Sequence, residues 1–200
     1  MAFISGYVNL PVTSYSAFRN AVLGNGYDAD GYYGDQCWDL TAELWYNVGF
    51  PTGYPQTGPN QYASECWNVS RQNNISYGGT QYFDLIYNIN DVKTGDVVVF
   101  NGTSQLPTGH IGLADEDYDG SNTIAILGQN QGTEGTPTPI PNPAGGTTTN
   151  VNRLYINTFA GAFRYKDWHT PPVPPTPSTK KSKFPWVLYT RKLNQMRNRM

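Results

Sequence analysis

The sequence predicts an α+β domain in which N-terminal helices pack on an antiparallel β-sheet. Two observations lead to this prediction. Helical periodicity is found in the first 70 residues, and short β-branched runs between Gly, Asn, Asp and Pro clusters follow it. Helices that precede strands along a chain are typical of α+β folds. Plentiful Gly and Tyr with sparse Leu also argue against a helical bundle.

Three helices are predicted ahead of the sheet. In SYSAFRNAVLGNG, apolar residues recur at helical spacing between a Ser start and a Gly stop, which predicts a helix near 14–23. In CWDLTAELWYNVGF, Leu, Trp and Val residues share one face, which predicts a second helix from about 37 to 48. The segment NQYASECWNV predicts a third, short helix.

The strands of the sheet are predicted from short apolar or β-branched runs separated by turn residues. These runs are GDVVVF, GHIGLAD, TIAILGQN, NRLYINTF and AFRYKD. The segment TEGTPTPIPNPAGGTTTN is predicted to be a long irregular loop inside the sheet region. Loops of this length are usually functional or mobile, so we expect substrate specificity to depend on loops such as 128–150.

The net charge of −2 conceals two parts of opposite sign. Residues 1–179 hold six bases against all 15 acids, a net charge of −9, whereas residues 180–200 hold seven bases and no acid. A Pro-rich run, TPPVPPTPSTKKSK, begins at Thr170 and contains the first three of these seven bases. We therefore predict a folded domain over 1–169, a semi-rigid linker over 170–183 and a basic, aromatic tail over 184–200.

The cysteines and the N-terminal segment indicate whether the protein is expected to be exported or disulfide-bonded. Cys37 and Cys66 are expected to be buried thiols or one disulfide, because two cysteines do not make a disulfide framework. The N-terminal MAFISGYVNLPVTSYS lacks a basic region and a long apolar run, so no signal peptide is predicted. No apolar run approaches the length of a membrane span.

Three polar residues are candidates for a cysteine-dependent catalytic centre. Cys37 lies at the first turn of the second predicted helix, where the helix dipole and free N–H groups favour a thiolate and can hold an oxyanion. His110 begins the strand GHIGLA, although a His at a strand start is on its own more often structural. Asn130 follows one strand later. The order Cys, His, Asn on helix, strand and strand is the papain-type arrangement of nucleophile, base and orienting residue.

Acidic residues precede Cys37 in the segment DADGYYGDQCWDL, residues 28–40. Asp28 and Asp30 alternate ahead of Gly31, which resembles the first half of a calcium loop. The segment is not an EF-hand, because no Glu closes a 12-residue loop. The alternative is a solvated acidic turn in which Asp39 merely favours the helix N-terminus.

Four motifs together resemble the CHAP domains, the cysteine- and histidine-dependent amidohydrolase/peptidase group of peptidoglycan hydrolases. They are GDQCWDL, KTGDVVVF, GHIGLA and ILGQNQ, and the resemblance covers roughly residues 15–167. It implies a papain-like fold with the 1–169 domain as the catalytic part. It also implies Cys37 as nucleophile, His110 as general base and then acid, and Asn130 as the residue that orients the histidine.

The sequence departs from the family pattern at one position. The family often has EQN at this strand end, with the Glu also in the active site, whereas this chain has GQN with Gly128 in place of the acid. The orienting role then falls to Asn130 alone or to an acid from elsewhere. Gln36, just before the nucleophile, is a candidate for holding the oxyanion, or else an ordinary polar turn residue.

Some CHAP domains of phage lysins carry a calcium site in the segment that precedes the nucleophile. The resemblance implies a structural calcium ion here, held by the carboxylates of Asp28, Asp30 and Asp39. Backbone carbonyls of Tyr32 and Gly34 would complete the ligand set. The ion would fix the loop against the helix that carries Cys37 and take no part in the chemistry.

The resemblance implies a phage endolysin or virion-associated lysin that cleaves an amide bond of bacterial peptidoglycan, as an amidase or endopeptidase. Without a signal peptide, the protein is expected in the bacterial host cytoplasm before release or in the virion, and it would act at the cell wall. The basic tail is expected to contact anionic wall polymers, a membrane surface or a virion protein, and no specific nucleic acid is expected because the body is acidic.

Two alternatives remain open. Gly128 in place of the family acid would also suit a catalytically silent structural or adhesion component of a virion, although the intact Cys37 and His110 argue against it. A papain-like protease that acts on ordinary proteins is the other alternative.

Overall fold

The computed structural model describes residues 2–76, 81–104, 107–132 and 148–169. Most of the predicted irregular loop lies outside these ranges, as do the predicted linker over 170–183 and the predicted tail over 184–200. Residues up to Thr170 form one compact unit.

In the described part of the chain, three α-helices and two short strands come first, and six further strands and a last short helix follow. The α-helices are α1 (Tyr15–Val22), α2 (Cys37–Asn47), α3 (Glu65–Ser76) and α4 (Lys166–His169). The strands are β1 (Phe3–Ser5), β2 (Gly26–Asp28), β3 (Phe83–Ile86), β4 (Val97–Phe100), β5 (His110–Ala114), β6 (Thr123–Gly128), β7 (Asn150–Tyr155) and β8 (Phe159–Tyr165). Single 3-10 turns lie at Ile89–Asp91 and Ile156–Thr158.

Six of the strands form one antiparallel sheet in the order β3-β8-β4-β5-β6-β7. This arrangement confirms the α+β class and all five predicted strands. The register is fixed by alternation: on β4, Val97 and Val99 point to the helices, while Val98 and Phe100 point to the other face. Because both faces are apolar, the central strands are buried on both sides.

Helices α1, α2 and α3 contribute buried side chains to the larger core cluster, against one face of the sheet. Helix α2 is anchored to the sheet by Trp45, which stacks on Phe83 at 4.3 Å between ring centroids and meets Phe163 edge-on at 5.5 Å. This packing fixes the position of the helix whose first residue is Cys37. No helix among the described residues is long and apolar enough to cross a bilayer.

The sequence analysis missed three strands and underestimated one helix. Strands β1 and β2 form a separate parallel pair, with Ile4 opposite Tyr27, and β3 lies at one edge of the main sheet. Helix α3 has 12 residues, where only a short helix was expected. The missed strand β2 matters for the site, since it leads directly into the acidic loop.

Candidate active site

Cys37 is the first residue of α2 and is 8% exposed. The helix begins here because the Asp39 carboxylate accepts a hydrogen bond from the Gln36 N–H at 2.8 Å, which satisfies a donor at the helix start. A second oxygen of Asp39 accepts from the Ala29 N–H at 2.9 Å and ties the helix to the acidic loop. The predicted placement of the cysteine at a helix N-terminus is therefore confirmed.

The protonation state of Cys37 differs from the expectation of a resting thiolate. Burial raises the pKa of the Cys37 thiol to about 11, and the Asp39 charge adds to the rise. The backbone N–H groups of Ile111 and Trp38 act in the opposite direction by hydrogen bonding to the sulfur. The desolvation cost outweighs the helix N-terminus, so the resting group is a neutral thiol that needs a base.

His110, the first residue of β5, is 3% exposed and lies next to Ile111, whose N–H reaches the Cys37 sulfur. Burial lowers the pKa of His110 to about 4, while its hydrogen bond with Gln131 acts in the opposite direction. The imidazole is therefore neutral at physiological pH. The structure thus places a neutral thiol at the start of α2 and a neutral imidazole at the start of β5, the strand on which α2 packs.

Asn130 does not contact His110 through a hydrogen bond, contrary to the expectation from the resemblance. Its Nδ2 donates to Gln36 Oε1 at 2.8 Å. The side chain that meets His110 is Gln131, with 3.1 Å between Gln131 Oε1 and His110 Nε2. The physical reason is the backbone of Asn130, which has a φ of 52° in the left-handed region and ends the strand alternation.

The side chain of Gln36 is engaged at both ends. Its Oε1 accepts from Asn130, and its Nε2 donates to the Tyr33 carbonyl oxygen at 2.7 Å. Gln36 therefore joins the end of β6 to the loop that precedes Cys37. An amide nitrogen carries two protons, so this contact leaves one Nε2 proton of Gln36 for another acceptor.

Two functional residues were missed by the sequence analysis, Gln129 and Gln131. Gln129 is fully buried and bonds both backbone groups of Tyr27 on β2, at 2.8 and 2.9 Å. Its Nε2 also donates to the Gln36 carbonyl oxygen at 3.0 Å. The available signal was the unbroken polar run QNQ after an apolar strand, since such side chains are buried only when they are hydrogen-bonded.

Asp28, Asp30 and Asp39 come together beside the start of α2, as predicted. One carboxylate oxygen from each lies within 4.8 Å of the others. Asp28 and Asp30 also accept from backbone N–H groups of their own turn, at 2.9 and 2.8 Å. Burial raises the pKa of Asp39 to about 8, although the hydrogen bond from Gln36 acts in the opposite direction.

Tyr32 and Gly34, the predicted carbonyl ligands, lie on the turn between Asp30 and Gln36. The Tyr32 N–H donates to Asp30, and the Tyr32 side chain is 69% exposed. Gly34 has a φ of 66°, a conformation that a side chain would disfavour. The donor set of this loop consists of hard carboxylate and backbone oxygens, which suits calcium.

Comparisons with known proteins identify the family and the fold. The CHAP domain family model matches residues 26–130, which is more than half of the chain. A D-alanyl-L-alanine endopeptidase of Streptococcus phage B30 is 30% identical over 158 residues, which are 78% of this chain and 31% of that protein. The chain thus spans about a third of the length of this curated relative.

A solved structure, that of the wild-type endolysin LysIME-EF1, has the same fold, with a TM-score of 0.50 and 20% identity. The match covers 78% of this chain and 64% of that one. This chain belongs to the CHAP family, and the papain-like α+β fold expected from its motifs is confirmed.

Proposed function

We propose that this protein is a phage lysin that hydrolyses an amide bond of bacterial peptidoglycan, with Cys37 as the nucleophile and His110 as the base. The observation that carries the proposal is that the buried Cys37 thiol at the start of α2 accepts from the N–H of Ile111, the residue that follows the buried, hydrogen-bonded His110 on β5. The names of the similar proteins supply the substrate class, since one is a phage endopeptidase and another an endolysin.

The chemical step follows from the neutral resting pair. His110 takes the proton of the Cys37 thiol as the sulfur attacks the carbonyl carbon, since the thiol does not ionise on its own at neutral pH. The imidazolium then gives this proton to the leaving amine, and a thioester remains on Cys37. Water, deprotonated by His110, hydrolyses the thioester and restores both groups.

The oxyanion of the tetrahedral intermediate would be held at the same helix start. Backbone N–H groups of the first turn of α2 lie around the sulfur, as the lowering effect of the Trp38 N–H on the Cys37 pKa indicates. The remaining Nε2 proton of Gln36 is a further donor. Its position is held by Asn130, which gives Asn130 a place in the site through Gln36.

A calcium ion at Asp28, Asp30 and Asp39 is the second part of the proposal. These carboxylates fit a hard divalent cation because three oxygens converge and the Asp39 carboxyl is buried beside them. The ion would favour the ionised form of Asp39 and fix the acidic loop against α2. Residues of this chain, not the ion, perform the reaction in this scheme.

The tail over 184–200 is outside the described residues, and its roles stay proposals. Contact with anionic wall polymers, a membrane surface or a virion protein follows from its four bases and the three at the end of the linker, with no acid among them. Location in the host cytoplasm before release, or in the virion, follows from the proposed lysin function.

A turbidity assay on Gram-positive cells tests the enzymatic proposal. The wild type should clear the suspension, whereas Cys37→Ala and His110→Ala should reduce the rate by at least about 10²-fold, which is the usual contribution of such groups. Cys66→Ala is the matched control, because Cys66 is also a buried free thiol but lies in the core, so this variant should retain activity.

Two outcomes would contradict the proposal. If Cys37→Ala lyses cells as fast as the wild type, the cysteine is not the nucleophile. If the wild type clears no strain of a broad panel, the silent structural alternative replaces the enzyme.

A further inference from the structure

The hydrogen bond on His110 comes from Gln131, the last residue of the ILGQNQ motif, to which the family resemblance assigns no role. Gln131 lies one residue beyond the matched range 26–130. It is fully buried, and its Oε1 is 3.1 Å from His110 Nε2. The bond is therefore formed away from solvent, where geometry and proton position matter most.

The orientation of the Gln131 carboxamide is determined by its other contacts. Its Nε2 donates to the backbone oxygens of Ile126 at 2.7 Å and Asn150 at 2.9 Å, and the Asn150 side-chain oxygen lies at 3.2 Å. A flipped amide would place Oε1 against these oxygens, so the nitrogen must face them. The oxygen then faces His110 and can only accept a hydrogen bond.

This acceptor assigns the proton of the neutral imidazole. His110 must carry its hydrogen on Nε2, because Gln131 Oε1 has none to give. His110 Nδ1 is then the lone-pair nitrogen, and it is buried without a hydrogen-bond partner among the described residues. A base needs such a free lone pair, and Nδ1 is the nitrogen available to take the Cys37 proton.

Gly128 explains how Gln131 fits into this position. A Cβ on Gly128 would lie 2.5 Å from Gln131 Oε1 and 3.1 Å from its carboxamide carbon. No side chain at position 128 is compatible with Gln131 as it stands. Gly128 lacks a positive φ, so space and not backbone conformation accounts for the glycine.

We propose that Gln131 is the positioning residue of His110. Its carboxamide occupies the space that Gly128 leaves open, holds the imidazole in place and keeps the imidazole proton on Nε2. Gly128 and Gln131 then act as a pair. Together they replace the Glu that family members often carry at this strand end. This inference rests on the proposed Cys37–His110 chemistry and identifies the group that prepares His110 for it.

The first test is the tautomer of His110 in the full-length wild type at pH 7, measured by long-range ¹H–¹⁵N correlation after ¹⁵N-histidine labelling. Only His110 and His169 contribute, and a His169→Gln sample assigns the signals. A proton on Nε2 supports the inference. A proton on Nδ1 overturns it, whether or not the protein hydrolyses cell walls, so this result is separable from failure of the proposed function.

The second test is a set of variants assayed on purified cell walls. Gln131→Ala should lower kcat by about 10- to 100-fold, with KM changed by less than about threefold, and should populate both tautomers. Asn130→Ala should leave the tautomer unchanged, because Asn130 bonds Gln36 instead.

The double variant Gly128→Glu/Gln131→Ala keeps the proposal falsifiable if Gln131→Ala is merely unstable. With the carboxamide removed, a glutamate at 128 has room to accept from His110 Nε2. We expect the double variant to regain at least about tenfold in kcat over Gln131→Ala, while Gly128→Glu alone lowers activity. A double variant no better than Gln131→Ala, with the Nε2 proton lost in both, overturns the coupling of the two positions.

Discussion

Glu43 lies on α2 six residues after Cys37 and is buried without an ionic partner among the described residues. Its Oε2 accepts from the Val8 N–H at 3.2 Å and lies 3.5 Å from Asn47 Nδ2, while its Oε1 is buried and without a partner. We predict that Glu43→Gln stabilises the protein at alkaline pH. The glutamine oxygen can keep the Val8 contact, and its NH₂ group carries no charge.

The magnitude follows from the pKa of Glu43, which burial raises from 4.5 to about 7. In this range the folded state binds a proton that the unfolded state has lost, so the unfolding free energy falls as the pH rises from about 4.5 to 7. A shift of this size corresponds to about 3 kcal/mol. Below this window both states are protonated, and above it both are ionised.

Urea unfolding of wild type and Glu43→Gln between pH 4 and 8 measures this effect. The variant should match the wild type near pH 4, or fall slightly below it, and gain about 3 kcal/mol relative to it by pH 8. Other buried carboxyls with raised pKa values, such as Asp35 and Asp96, are present in both proteins and cancel in the difference. A difference that is constant across the pH range would refute the assignment of a raised pKa to Glu43.

The remaining predictions concern charges elsewhere in the molecule. Arg164→Ala should destabilise the fold by about 3–5 kcal/mol in thermal or urea unfolding, because it leaves the fully buried Asp96 without its 2.8 Å ion pair. Lys93→Ala removes an exposed ion pair and should cost less than about 1 kcal/mol. Equal losses would contradict this ranking. Added calcium should raise the Tm and EDTA should lower it. Asp30→Asn should abolish the response, because it removes one of the three converging carboxylates. Asp119→Asn is the matched control and should preserve the response. Asp119 is also exposed and accepts an N–H two residues on, but it lies outside the cluster. A wild type that ignores calcium, or an Asp30→Asn variant that still responds, would exclude the site.

Helices α1 and α2 could be predicted because their signals are local. Ser14 caps α1 by accepting from the Ala17 N–H at 3.1 Å, and apolar residues recur at helical spacing behind it. Strands β1 and β2 were missed because each has three residues and their parallel pairing joins segments more than 20 residues apart. A hydrogen bond between distant segments leaves no periodic trace in either one.

The candidate site could be predicted as far as side chains are fixed by their own element. Cys37 at a helix start and His110 at a strand start follow from the local pattern together with the family motifs. The partner of His110 does not, because the left-handed Asn130 turns the chain after β6 and brings Gln131 to the imidazole. The sequence shows that Gly128 stands where the family often has an acid. Only the structure shows that the Gln131 carboxamide fills the space that a Cβ at position 128 would need.

The central claim is that Cys37 cleaves an amide of peptidoglycan, and mass spectrometry of fragments released from defined peptidoglycan tests it most directly. The wild type should release fragments with a new amine and a new carboxylate, with intact glycan bonds, while Cys37→Ala releases none. New reducing sugar ends, or the same fragments from Cys37→Ala, would contradict it.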